Sequence, residues 1–456
     1  MRGEGEVLLV STYELGHQPQ GIAVPAAFLV RAGFNPATLD LAVEPLDSAR
    51  VLRARLVAIS VPMHTALRLG LDAAARIRAT NPTALLAFHG TYAPLHAPLL
   101  LEAGASSVLG GECEDELVAF ALAAERGEDL SRFVQRGGGA ASLARLDFPV
   151  PRREGLPAPG RYARLREADG RERLAGYAEA TRGCLHRCRH CPIPAVYDGR
   201  FFAVPVETVL ADVAQQIPAG ITHVTFGDPD FLNGPVHALR TAREFHERFP
   251  SLSFDFTAKV EHLVRNAGDL PELVACGAVF VVSAVESLSD LVLAKLEKGH
   301  TREDVFQAFS ASDQAGLPLR PTLVPFTPWE TLAGYLDLLE TFEERGWLER
   351  IDPVQFSLRL LVPPGSLLLD DPDLPLEGID EAALTWRWKH PDPRMDALQS
   401  RVAAVVDAGA TRGDDPAATM AQVKALALAA AGRSHSHVAR PFSTAGSPRL
   451  TENWFC

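Results

Sequence analysis

The chain has 456 residues, of which 47% are hydrophobic and 22% charged, and its formal net charge is -13. This is the composition of soluble globular domains, and the length predicts several of them, which excludes a disulfide mini-protein, a fibrous repeat and a largely disordered chain. The acid excess leaves no electrostatic footprint for coating nucleic acid or an anionic membrane. No stretch reaches the roughly 18–20 uninterrupted apolar residues that span a bilayer, so neither partner is expected and the location is read as cytoplasmic.

In chain order, short β-branched or apolar runs at 7–10, 38–43, 56–61, 84–88 and 107–109 alternate with helical patterns at 23–32, 67–78, 95–103 and 114–124. Strands that are apolar throughout, separated by helices, predict a doubly wound parallel sheet covered on both faces. Such a sheet binds ligands at the carboxyl ends of its strands, here 11–21, 60–64, 89–91 and 110–112. The glycines at 137–139 and the proline-rich stretch 149–159 punctuate the chain and read as a linker. Alternation resumes with strands near 222–226, 253–257, 279–284, 319–324 and 354–361 and helices near 206–216, 235–248, 288–296, 303–315 and 331–345, a second βα repeat of barrel type. An acidic segment, a helix around Trp386 and Trp388, and an alanine-rich helix at 417–431 then precede an irregular end. The expected divisions are 1–130, a linker 131–175, a core 176–366, and a mainly helical extension 367–456.

Three of the six cysteines crowd into Cys184-Leu185-His186-Arg187-Cys188-Arg189-His190-Cys191, with C-x3-C-x2-C spacing. Thiolates select iron–sulfur clusters or zinc over hard cations. A structural zinc site closes with four ligands, whereas three cysteines on an iron–sulfur cluster leave one iron open. His186 and His190 could complete a zinc site, so a zinc-stabilised or redox-sensing protein stays an alternative at this point. Carboxylates at strand ends, Asp228 and Glu286, can receive an ammonium group or hydroxyls, and Gly227 lets backbone approach closely. Lys259 and Glu261 are further pocket candidates.

This loop resembles that of the radical S-adenosylmethionine (SAM) superfamily, which binds a [4Fe-4S] cluster after the first barrel strand. Arg189 stands where that family often has an aromatic residue. Gly227-Asp228-Pro229-Asp230-Phe231 resembles the segment meeting the amino group of SAM, and Ser283-Ala284-Val285-Glu286-Ser287 the one whose acid meets SAM. Leu296-Glu297-Lys298-Gly299-His300-Thr301 is similar to the K-G-x-T stretch, the turn from Pro325 to Thr331 to the P-x-P-x-E-T turn, and Pro363-Pro364-Gly365-Ser366 to the P-P-G-S/T turn of cobalamin-associated members. The resemblance implies that Cys184, Cys188 and Cys191 hold the cluster and that Gly227, Asp228, Lys259, Ser283, Glu286 and Pro325 line the SAM pocket. It also implies an electron donor such as flavodoxin or ferredoxin, and a small-molecule or peptide substrate.

The first domain resembles the Rossmann-like cobalamin-binding domain that precedes many such cores, with Gly110-Gly111-Glu112-Cys113-Glu114 like its G-G-E-x-E ending; cobalamin is therefore an expected cofactor. The D-x-H-x-x-G loop of that domain is absent, and His17 lies in the corresponding loop in a different pattern. The run Leu450-Thr451-Glu452-Asn453-Trp454-Phe455-Cys456 resembles the approach to a Cys-Cys- or Cys-selenocysteine-Ala-Glu-Pro tail. On that resemblance Cys456 is a catalytic thiol, and the sequence stops at a selenocysteine codon. The expected activity is reductive cleavage of SAM, with methyl transfer as the leading reaction if cobalamin binds.

Overall fold

A computed structural model of the chain describes residues 1–134, 141–433 and 447–452. Strands β1 (Val7–Ser11), β2 (Ala37–Asp40), β3 (Leu56–Ser60), β4 (Leu85–His89) and β5 (Ser107–Leu109) form one parallel sheet in the order 2-1-3-4-5. Their unbroken apolar runs follow from cover on both faces. Leu8 and Val10 pack into one core with Leu67 and Ile77, while Val7 and Leu9 pack into another with Ile22 and Phe120. Strand order reverses between β1 and β3, which opens a crevice at their carboxyl ends.

A second sheet is built from β6 (Arg164–Arg166), β7 (Glu172–Ala178), β10 (His223–Phe226), β11 (Ser253–Thr257), β12 (Ala278–Glu286), β13 (Leu319–Leu323) and β16 (Arg449–Leu450), in the order 13-12-11-10-7-6-16. Strands β7, β10, β11, β12 and β13 run parallel, and β6 and β16 are added antiparallel. The sheet curls until its two edges approach: Arg320 of β13 and Arg449 of β16 line one cavity of about 30 Å³. Helices cover the outside of this partial barrel over a phenylalanine-rich core that includes Phe226, Phe245, Phe254 and Phe256.

Several expectations change. The run at 354–361 forms a 3-10 turn at Pro353–Phe356 and a single bridge from Arg359 to Phe326, because Pro353 and the buried turn that follows it break the ladder. Trp386 and Trp388 lie in a hairpin, β14 (Leu376–Asp380) with β15 (Thr385–Trp388), where Trp388 packs inward beside Val292 and Leu360. The helices of the extension are Pro393–Arg412, which the sequence reading did not anticipate, and Pro416–Ala430. Within the stretch read as a linker, β6 and most of β7 join the second sheet, and the nominally irregular end contributes β16.

Candidate active site

The cysteine loop is pinned by the segments that the sequence analysis had singled out. Strands β8 (Thr181–Gly183) and β9 (Phe201–Ala203) clasp its two ends as an antiparallel ribbon. Gly183, immediately before Cys184, has φ +74, and a Cβ there would sit 2.4 Å from the Arg200 carbonyl, so the turn into the loop requires glycine. The Arg189 N–H donates to the Leu296 carbonyl at 2.9 Å, and the Ser366 hydroxyl donates to the Arg189 carbonyl at 3.3 Å. The Arg189 guanidinium donates to the Leu367 carbonyl and lies 3.5 Å from Asp371. Arginine thus replaces an aromatic side chain with a polar staple. Burial pushes the thiol of Cys184 up to about 11 and that of Cys191 up to about 12, so these sulfurs require a bound cation to stay ionised at neutral pH.

Around this loop the parallel strands end in buried polar groups. At the end of β12, Glu286 has φ +65 at a register shift, which turns its carboxylate into the site. Its Oε1 lies 3.2 Å from Lys298 Nζ and 3.1 Å from His190 Nε2. Burial opposes ionisation of Glu286, but the Lys298 ammonium and His190 outweigh it and hold the carboxyl at about 2. Lys259 Nζ and Ser283 Oγ are buried, and neither has a hydrogen-bond partner among the described residues. Pro325 is buried in the turn after β13, where the Ser287 hydroxyl donates to Glu330 at 3.1 Å.

Gly227 and Asp228 act first on the scaffold. A Cβ on Gly227 would lie 1.8 Å from the Tyr177 hydroxyl oxygen. The Asp228 carboxylate accepts the Ala180 N–H at 3.0 Å and the Thr181 hydroxyl at 2.5 Å, tying β10 to the approach of the cysteine loop, and burial pushes it up to about 7. The acid of this segment that faces the histidine of the cysteine loop is Asp230, 3.9 Å from His186 Nε2, whereas the sequence reading named Asp228 for the SAM pocket. Asp230 Oδ2 is 2.6 Å from His262 Nδ1 without hydrogen-bond alignment, and His262 Nε2 is 3.2 Å from His186 Nε2. Burial, aided by Lys259, lowers His186 to about 4, so it is neutral near pH 7. His186 was weighed only as a zinc ligand and His262 not at all; the two come together from segments far apart in sequence, which no local motif signals. Cys456 lies outside the described residues.

The crevice of the first sheet faces this site. A cleft of about 150 Å³ is lined on one side by Glu14, Gly21, Ser60, His89, Gly90 and Glu114, and on the other by Glu179, Arg182, Gly183, Ile193 and Tyr197. Arg182 Nη1 meets Glu114 at 2.6 Å, and the Tyr197 hydroxyl donates to Glu112 at 3.0 Å, so both contacts join the sheets. Beside them Arg153 is buried between Asp212, Gln18, Gln20 and the Tyr177 carbonyl. His17 stacks on Tyr177 at 4.7 Å, where burial lowers it to about 4.

Residues 179–339 match the model of the Radical SAM superfamily. The chain therefore carries a radical SAM domain, and the superfamily which that model describes uses a [4Fe-4S] cluster and SAM. No curated protein matches the sequence. Among solved structures, the radical SAM methyltransferase TsrM from Kitasatospora setae, with tryptophan substrate and a SAM analogue bound, is 18% identical with a TM-score of 0.58, covering 74% of this chain and 71% of that one. The cobalamin-dependent radical enzyme OxsB, with aqua-cobalamin and SAM bound, is 14% identical with a TM-score of 0.67, covering 88% and 67%. These likenesses establish the fold: a parallel α/β domain, a partial barrel and a helical C-terminal region. No helix among the described residues is long and apolar enough to cross a membrane.

Proposed function

We propose that the chain cleaves SAM reductively and directs the resulting radical, with cobalamin as a second cofactor, to transfer a methyl group to a substrate held between the two sheets. The observation that carries this reading is the set of buried polar atoms beside the three-cysteine loop: Ser283 Oγ makes no hydrogen bond among the described residues, Lys259 Nζ meets only Glu261 at 3.7 Å, and Asp230 and His262 face each other without hydrogen-bond alignment. Buried polar atoms without partners are costly, and a zwitterionic amino acid with a ribose supplies complementary ones. The donor set fits the cofactors. Cys184, Cys188 and Cys191 are soft ligands in a pinned loop. The crevice at the β1/β3 reversal, with small residues at Gly21, Ser60 and Gly90 and the unpaired Nε2 of His89, fits a corrinoid presented toward that loop.

Bound there, the cluster and SAM would supply radical chemistry and cobalamin would supply methyl-transfer chemistry. The chain's own residues orient and insulate. Lys298 and His190 fix the Glu286 carboxylate as an anionic acceptor for hydroxyl or ammonium hydrogens, and Lys259 presents an ammonium group to a carboxylate. Helices and the β14–β15 hairpin exclude water from the site. An external flavodoxin or ferredoxin provides the electron, in the cytoplasm.

The test is anaerobic. The reconstituted chain is incubated with dithionite, SAM and cobalamin, and the nucleoside products are identified by mass spectrometry. 5′-Deoxyadenosine is expected, with S-adenosylhomocysteine beside it if methyl transfer operates. Neither product, from a chain holding zinc rather than iron and sulfide, overturns the reading.

A further inference from the structure

We infer that the seam where the two edges of the partial barrel meet binds a monocarboxylate, its charged head held by Arg320 and Arg449 and its apolar part laid against Phe280, Val282 and Leu450. The seam shares no lining residue with the cleft at the first sheet, and the inference goes beyond the radical SAM reading without depending on it.

Strand register places the residues. Arg320 of β13 stands opposite Val282 of β12, and residues paired across neighbouring parallel strands project from the same face of the sheet. That face is the inner one. Phe280 and Val282 pack with Leu165 of β6, Ala175 of β7 and Leu450 of β16, whereas their neighbour Val281 packs into the helix-covered core. Arg320 therefore enters the barrel from one edge of the sheet, and Arg449 reaches the same cavity from the strand at the other edge.

The guanidinium of Arg320 is incompletely served. The side chain belongs to a residue only 8% exposed, and its Nη2 lies 3.2 Å from Asp352. Its Nη1 is buried and has no hydrogen-bond partner among the described residues. Arginine cannot shed its proton at neutral pH, so an unpaired N–H of this kind is costly and calls for an acceptor. Burial lowers Arg320 below its ordinary value, Asp352 opposes that, and the nearby charge of Arg449 adds to it, so the one carboxylate at hand does not balance the pair. A third arginine, Arg350, already meets Asp313 at 2.6 Å, and Glu452 accepts the Tyr13 hydroxyl at 2.9 Å.

Size and charge then select the ligand. The cavity of about 30 Å³ has room for about two water-sized groups, the two oxygens of a carboxylate. Asp352 and Glu452 in its wall repel a second negative charge, which disfavours a phosphate dianion. A neutral amide or alcohol brings no charge to Arg320. The apolar lining receives an alkyl or aryl group that water alone would leave uncovered. Because the two arginines come from opposite edges of the sheet, the bound anion also joins those edges.

Calorimetric titration of the full, anaerobically reconstituted chain with butyrate, butyramide and inorganic phosphate tests this. Butyrate is expected to bind about tenfold or more tightly than butyramide, the amount one charge-assisted hydrogen bond supplies, and phosphate more weakly than butyrate. Arg320→Gln is expected to erase the preference for butyrate over butyramide. Should that variant fail to fold, Arg449→Gln on the edge strand carries the test and is expected to weaken butyrate several-fold while leaving butyramide unchanged. Equal binding of butyrate and butyramide, tighter binding of phosphate, or butyrate binding that survives both arginine variants overturns the inference. So does loss of butyrate binding in Lys259→Gln with Arg320→Gln unaffected, which would put the anion at the cysteine loop. Presence or absence of SAM cleavage bears on the proposed function alone.

Discussion

Glu286 and Glu14 are both buried glutamates at the carboxyl ends of parallel strands, yet their environments push them in opposite directions. Glu286 sits between Lys298 and His190 and is held ionised down to about 2. Glu14 has backbone and hydroxyl donors but no cation, and is pushed up to about 8. Burial penalises the charge in both, and the difference lies in Lys298 and His190 beside Glu286. The barrel end is a charge-balanced site whose remaining polar atoms await a zwitterion. The cleft is a charge-unbalanced one. Identical side chains at equivalent places in two sheets therefore prepare two kinds of ligand contact.

The largest effect that separates the regions should come from the metal ligands. Replacing Cys184, Cys188 and Cys191 by alanine is expected to abolish iron–sulfur absorption and 5′-deoxyadenosine formation completely, while the pH-dependent melting that Glu14 confers persists. Loss of that pH dependence together with the cluster would mean that the two regions form one site. Next, Glu286→Gln leaves Lys298 buried without its counter-ion, and denaturant unfolding should show a loss of about 3–5 kcal/mol. Adding Lys298→Met should recover part of it. No recovery would show that the pair does not balance the site as described.

Glu14 should produce a pH-dependent difference. The folded chain keeps this proton up to about pH 8, whereas the unfolded chain loses it near 4.5. The group's stabilising contribution is complete below about pH 4.5 and is lost as pH rises through 8, by a few kcal/mol at about 1.4 kcal/mol per unit. Glu14→Gln should accordingly melt higher than the unaltered chain at pH 8 and nearly level with it at pH 5. A gap independent of pH would sink the assignment of a buried proton. The smallest effect belongs to the loop's solvent side, where Arg187 pairs with Asp198 and both are more than half exposed. Arg187→Ala should change stability by less than about 0.5 kcal/mol. A larger loss would mean that this pair shapes the cysteine loop.

What could be read from sequence followed from local pattern. The apolar strands of the first sheet, the three-cysteine loop and the strand-end position of Glu286 are each encoded within a dozen residues. Pairings that join distant segments were not legible. Asp230 with His262 and His186, Glu14 beneath Gly21 and Ser60, and Arg182 among three glutamates depend on how strands stack. The segment around Trp386 and Trp388, read as a helix, is a hairpin: two tryptophans two residues apart fit the period of a strand. A weak signal did exist for the cleft: Glu112, Glu114 and Glu116 alternate after a double glycine at a strand end, more acid than a helix cap needs.

Strand β16 bears on the order in which the molecule is assembled. Leu450 pairs with Leu165, and Glu452 accepts the Tyr13 hydroxyl at 2.9 Å across 439 positions of sequence. During synthesis the outer edge of β6 therefore stays open until the segment around Leu450 has left the ribosome, although every residue of the cysteine loop emerged long before. A contact this remote forms late. The pairing of β16 with β6 is thus the most sequence-remote closure of the second sheet among the described residues.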